Sequence, residues 1–222
     1  MKGLGLGTLF ALSIFAASNS AAQENTWYLK FGVASTDPDA GEVEELLEDE
    51  FGTTKKFDNA TGFNFTLGYQ LTPFIAVEGS YLDWGDSKLR DSGSYGDLYY
   101  DGIEVQLSGT TTLSGSTKSL GAVLSTDVNR PFSFGVKGGI HFWENEARIQ
   151  LDETFRFYDS YGNILAEEFS ADESASVDGD DGYYGIIGTY RTAGWMLSLD
   201  HTIYKSEDVD PSTTTLSLGI QF

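Results

Sequence analysis

Residues 132–142 read FSFGVKGGIHF. Phe132, Phe134, Val136, Ile140 and Phe142 fall on one side of a two-residue repeat, and Ser133, Gly135, Lys137, Gly139 and His141 on the other. Successive side chains of an extended strand point to opposite faces, so this is a strand with one apolar and one small, polar face. A water-soluble sheet would also alternate, but its outer face would be dense in Lys and Glu. Here the minor face is Gly and Ser with isolated charges, and the major face is rich in aromatics. A strand that turns its apolar side to lipid and its small side to a barrel interior has this composition.

The same alternation recurs along the chain. Trp27, Leu29, Phe31 and Val33 form one series, and Phe63, Phe65, Leu67, Tyr69 and Leu71 the next. Ile75, Val77, Gly79 and Tyr81 follow, then the weaker Leu120, Ala122 and Leu124. After the quoted stretch, Tyr183–Tyr190 is apolar on both faces and leaves its parity open. Trp195, Leu197, Leu199 and Ile203, then Leu216, Leu218, Ile220 and Phe222, complete the set. These are eight strands. The connections at Thr72-Pro73, Asp127–Pro131 and Thr192–Gly194 are short, whereas 36–56, 85–104, 144–182 and 206–212 are long. Short and long connections in alternation describe an up-and-down meander. The expected fold is all-β, an eight-stranded antiparallel transmembrane β-barrel with long acidic extracellular loops. Trp27, Tyr69, Phe132, Tyr190, Trp195 and Phe222 lie near the short connections, as an interfacial aromatic girdle would.

The chain has 222 residues, with 34 acidic against 13 basic side chains and a formal net charge of −21. The excess acid falls in the four long connections, and the remainder is balanced. A spanning strand set requires that neutrality, because charge on the lipid face costs up to about 2–4 kcal/mol at the midplane. The acidity excludes a nucleic-acid partner, which needs clustered Lys and Arg. With no cysteine there is no disulfide, thiol nucleophile or thiolate zinc site. Lys2, the apolar run Leu4–Ala17 and the small residues Ser18–Ala22 read as a signal peptide over 1–22, leaving 23–222 as the barrel domain.

Within the long connections, Gly41–Glu50 suggests a short helix, and Thr154–Leu165 a hairpin turning near Ser160–Asn163. Carboxylates in such number offer oxygen ligands to Ca²⁺ or Mg²⁺. Asp178, Asp180 and Asp181 are the densest group, without EF-hand spacing, and solvated acidity is the simpler reading. No cofactor is expected.

By parity Lys30, Glu78, Lys137 and Asp200 point inward at similar depths. The interior of an eight-stranded barrel is just wide enough for side chains to fill. Two cations and two anions there form an ion-pair network, with Glu78 expected to couple to Lys137 and Asp200 as the alternative partner. A structural lock is favoured over a narrow pore for small solutes.

Gly68–Gly85 (GYQLTPFIAVEGSYLDWG), Phe132–Phe142, Trp195–Tyr204 (WMLSLDHTIY) and Leu216–Phe222 (LSLGIQF) give the chain a resemblance to a known family. It resembles the small outer-membrane barrels typified by the OmpA transmembrane domain. The resemblance implies an inward Glu after the first turn, met by Glu78, an inward Lys met by Lys137, and an acid on the seventh strand, here Asp200. It also implies that Leu216, Leu218, Ile220 and Phe222 form the signal read by the barrel assembly machinery. The partners implied are outer-membrane lipids, lipopolysaccharide included, and both termini are expected in the periplasm. The chain stops at Phe222, so tethering through a following peptidoglycan-binding domain does not carry over. The expected function is non-enzymatic, structural or surface-interacting. A lipid-modifying enzyme is disfavoured, because His141 points inward and His201 outward, with no Ser-His-acid arrangement.

Overall fold

The computed structural model describes residues 26–39, 56–96, 102–159, 161–192, 194–206 and 210–222. The signal segment and the short helix expected over Gly41–Glu50 lie outside them. Eight antiparallel strands form one closed barrel: β1 Thr26–Asp37, β2 Ala60–Thr72, β3 Ile75–Tyr95, β4 Ile103–Ser125, β5 Phe132–Tyr158, β6 Ile164–Thr192, β7 Trp195–Tyr204 and β8 Ser212–Gln221. Each strand pairs with its sequence neighbours, and β1 closes the ring against β8, from Tyr28 opposite Gln221 to Asp37 opposite Ser212.

The short connections gather at one end with the start of β1 and the end of β8. There the Trp27 and Phe222 backbones exchange hydrogen bonds of 3.1 and 2.9 Å. In the β2–β3 turn, Thr72 Oγ1 accepts from the amides of Phe74 and Ile75 at 3.2 and 3.1 Å. Between β4 and β5, Asp127 Oδ1 accepts from the amide of Asn129 at 3.0 Å. Near this end Trp27 packs on Tyr69 and Phe132 on Tyr190, with ring centroids 4.9 and 4.8 Å apart.

The outward series carries exposed Phe31, Phe134, Val136, Leu199 and Leu218, while the inward series is buried and largely polar. The parity of β6 is now fixed: Tyr183, Ile187 and Thr189 face in, and Tyr184, Ile186 and Tyr190 face out.

The long connections 85–104 and 144–182 differ from expectation. They are mostly strand, not loop. β3 to β6 continue past the barrel as a four-stranded antiparallel sheet, with β5 and β6 paired without interruption from Phe132–Tyr190 to Tyr158–Ile164. β2 leaves β3 at Asp83, and β7 joins β6 only from Tyr183. Where β3 leaves the barrel a bulge falls at Asp83/Gly85, with Gly85 at φ 78° and its amide bonded to Asp83 Oδ1 at 2.8 Å. A side chain at that φ would be strained, so glycine permits the bend.

Polarity inverts along this sheet. Below Phe142 the outward face of β5 is apolar; above it the same face reads Glu144, Glu146, Arg148, Gln150, Asp152. The opposite face goes from Lys137 and His141 to Ala147, Ile149 and Leu151. β6 inverts likewise, with Asp172 and Ser174 outward against Ala175 and Val177 inward. Part of this inner face is covered by Phe57, which packs with Leu89 and Leu113. Such an inversion is the pattern expected of a sheet that passes from lipid into water. The hairpin tip is closed by Asp159, whose carboxylate accepts from the amides of Tyr161 and Asn163, each at 2.8 Å, and from Asn163 Nδ2 at 2.9 Å. Those bonds, that of the Asn163 side chain foremost, hold the Asp159 carboxyl below the usual aspartate range.

This boundary predicts that Leu218→Arg, on the lipid face, lowers unfolding free energy by roughly 2–4 kcal/mol. Gln150→Arg, on the same outward side but beyond the inversion, is expected to change it by less than about 0.5 kcal/mol. Urea unfolding from lipid vesicles reads both.

Candidate functional site

The four inward charges predicted from parity form two separate pairs. Lys30 Nζ donates to Glu78 Oε1 at 2.6 Å, and Lys137 Nζ to Asp200 Oδ1 at 2.6 Å. The direct partner of Lys137 is therefore Asp200, the alternative, and that of Glu78 is Lys30. The reason is register. Strand tilt places Lys30 within reach of Glu78 across β2 alone, while Lys137 reaches Asp200 across β6.

Each pair has polar support. The Tyr28 hydroxyl donates to Glu78 Oε1 at 2.7 Å, and the Thr202 hydroxyl to Asp200 Oδ1 at 3.2 Å. Tyr28 stands opposite Gly68, which stands opposite Glu78. To reach the carboxylate, the Tyr28 ring lies across Gly68, where a Cβ would come within 2.1 Å of Tyr28 Cζ. Gly121, on the next strand of the same row, has the Tyr183 hydroxyl within 2.3 Å of its Cβ position. Gly68 and Gly121 leave the space into which Tyr28 and Tyr183 fit.

Charges taken from water are expensive, and only close pairing with further hydrogen bonds offsets the cost. The free space beside Lys30, Glu78 and Arg191 is about 10 Å³, room for one water. Sequence reasoning missed Arg191, because β6 had no readable parity. It faces inward and donates to the Ser133 hydroxyl. Knowing that Thr189 faces in would have found it two residues on.

His141 is fully buried. Its Nε2 is 2.7 Å from the Lys205 carbonyl, which only accepts, so Nε2 carries a proton; Nδ1 lies 2.9 Å from the Thr117 hydroxyl, which donates to the Phe142 carbonyl at 3.1 Å. Its ring meets Tyr204 edge-on at 5.1 Å. This histidine is a packed structural group. His201 is exposed on the opposite face, with Nδ1 3.0 Å from the Thr214 hydroxyl.

The acidic group of β6 is divided by the sheet. Asp178 and Asp180 point outward, whereas Asp181 turns inward and accepts from Trp143 Nε1 at 3.2 Å. Among the described residues no group of three or more His, Cys, Asp or Glu is placed to hold a metal ion. Farther out, Arg148 grips Asp172, with Nε to Oδ1 at 2.8 Å and a second bond to Oδ2. The guanidinium holds the Asp172 carboxyl below its ordinary range. Leu216 and Leu218 face outward on β8, and Phe222 lies exposed at the chain end.

Glu78→Gln, which leaves Lys30 with no full counter-charge, is predicted to cost about 3–5 kcal/mol, partly recovered by adding Lys30→Met. The cycle of Asp200→Asn with Lys137→Met should couple likewise. The cross cycle, Glu78→Gln with Lys137→Met, should couple less than either. Urea unfolding in micelles measures all three, and a cross term exceeding the paired terms would contradict the pairing.

Several solved structures resemble the fold at low identity. Ail, the attachment invasion locus protein of Yersinia pestis, in complex with the heparin analogue sucrose octasulfate, is 17% identical with TM-score 0.49, over 90% of this chain and 99% of that one. The outer membrane protein OprG from Pseudomonas aeruginosa is 8% identical with TM-score 0.39, over 92% and 99%. Neisserial surface protein A is 11% identical with TM-score 0.33, over 88% and 95%. No curated protein matches the sequence. The family model for the outer membrane protein beta-barrel domain matches residues 7–222, and the chain belongs to that family.

Proposed function

We propose that this outer-membrane barrel is a non-enzymatic surface-interaction protein, and that its sheet of β3 to β6 stands outside the cell while the short turns and both termini face the periplasm. The observation that carries the reading is the free edge of β6. From Ile164 to Asp181 the strand pairs with β5 on one side and has no strand on the other among the described residues. An open edge is a template for an added strand. This one holds seven acids and no base between Ile164 and Gly182. The charge repels other copies of itself and favours an extended partner segment bearing Lys or Arg.

The interior supports the same reading. Two buried ion pairs, with room for one water beside Lys30 and Glu78, favour a lock over a pore. The lipid contacts proposed for the outward apolar band include lipopolysaccharide, whose phosphates suit Lys118 on the outer face of β4. Leu216, Leu218, Ile220 and Phe222 fit the role of a signal for the assembly machinery. Kinship with the OmpA barrels in particular rests on the inward Glu78, Lys137 and Asp200.

An epitope inserted beside Gly162 should be detected on intact cells; detection only after permeabilising the outer membrane would overturn the orientation. An extended peptide alternating Lys and Val should bind the protein in nanodiscs, more weakly with rising salt. Glu168→Lys with Asp178→Lys should weaken that binding at least about tenfold, roughly 1.4 kcal/mol. Equal binding by both proteins would refute the edge as the site. Deleting Phe222 should lower the level of barrel in the outer membrane more than Ser174→Ala.

A further inference from the structure

The open edge of β6 has two different sides. Next to the barrel, Ser174, Ser176 and Asp178 point outward, and Ala175 and Val177 point inward. Ala175 and Val177 line a cavity of about 180 Å³, together with Trp84, Leu113 and Trp143 from β3, β4 and β5 and Pro38 just past β1. β7 makes its last rung with β6 at Tyr204 opposite Tyr183, and β8 its last with β1 at Ser212 opposite Asp37. Val177 and Pro38 both lie past those rungs. In the ring, β7 and β8 are the strands between β6 and β1, and among the described residues neither contributes to the lining. The described wall is therefore missing between Val177 and Pro38, and Val177 is left 47% exposed.

We propose that this cavity is the side-chain pocket of the edge: the segment that pairs with β6 alternates basic and apolar residues, and one large apolar side chain, Phe or Leu, seats between Val177 and Pro38. The inference rests on the reading of the β6 edge as a strand acceptor. A strand added there takes the place that a longer β7 would have. Its side chains alternate in direction, so one set stands beside Ser176 and Asp178 and the other beside Ala175 and Val177. The second set points to the interior, as in any barrel strand, and the interior at this height is the cavity. An apolar cavity of about 150 Å³ holds benzene, so this one takes a single phenyl ring or branched aliphatic group. Main-chain hydrogen bonds along an edge accept many sequences, and a pocket for an alternate side chain is what selects among them.

Three peptides test this by calorimetry on the full-length barrel in nanodiscs, with empty nanodiscs as the blank for lipid partitioning. The first alternates Lys and Val, with Phe in place of one central Val. The second has Ala at that position. The third keeps every Val and has Phe in place of a central Lys. A regular alternation can slide along the edge until the Phe meets the pocket. The first peptide should bind at least about tenfold more tightly than the second, the factor that corresponds to 1.4 kcal/mol, because it alone buries a large side chain. The third should gain nothing over the second. Ala147→Leu, on the β5 lining and not on the edge, fills the cavity. It should bring the first and second peptides to within about threefold of each other and leave the second unchanged, while heat-modifiable gel mobility reports an intact barrel. Glu168→Lys with Asp178→Lys should weaken all three. Peptides that the double Lys variant weakens but that show no preference for Phe would overturn the pocket and leave the edge standing. So would a preference that folded Ala147→Leu protein retains, or equal binding of the first and third peptides to the unaltered protein. Absence of binding by all three, or binding that the double Lys variant leaves unchanged, would overturn the edge and the pocket with it.

Discussion

The pairing of β1 with β8 is the interaction on which the rest of the molecule depends. Hydrocarbon offers no water to an unpaired N–H or C=O, so a sheet in lipid must close on itself. Closure fixes the register of every strand, and register fixes parity. Val33 then faces lipid opposite Leu216, and Lys30 faces the interior opposite Gly219. A one-residue slip anywhere would turn Lys30, Glu78, Lys137 or Asp200 to the acyl chains and bring aromatics inside. The buried charges thus oppose wrong registers as much as they hold the right one.

What fills the ring is an alternation of large and absent side chains. Tyr28 crosses Gly68 to reach Glu78, and the Tyr183 hydroxyl sits over Gly121. Buried ion pairs often add little net stability over apolar packing. Their value in this interior is geometric: Lys30 with Glu78, and Lys137 with Asp200, tie β1 to β3 and β5 to β7, strands that share no ladder. With His141 held between β4 and the Lys205 carbonyl, the cross-ties leave little of the interior free to move.

The barrel was legible in the sequence because its outward face is a continuous apolar series. FSFGVKGGIHF alone carries the period, the small inner face and one inward charge. The extended sheet was legible in part. Alternation persists through Ala147, Ile149, Leu151 and Phe155, but its sense reverses, and acid density on the other face reads as loop. In β4 the run from Ser108 to Thr117 holds so much Ser, Thr and Gly that no period survives. Its strand is imposed by pairing with β3 and β5. The pairing of Lys137 with Asp200 depends on tilt, which periodicity does not contain. Arg191 was hidden for a related reason: its strand lacked a readable parity.

One barrel thus carries two environments along a single sheet, and the sign of its outward face tells them apart. The absence of cysteine makes this directly measurable. Single cysteines at the outward positions of β5, from Phe134 to Arg156, can be spin-labelled in vesicles and their collisions with oxygen and with a water-soluble nickel complex compared. The account predicts oxygen-dominated labels at 134, 136, 140 and 142, and nickel-dominated labels from 144 onward, all with the restricted motion of paired strand. Nickel access at 136 or 140, oxygen dominance at 148 or 150, or freely mobile labels beyond 144 would contradict it.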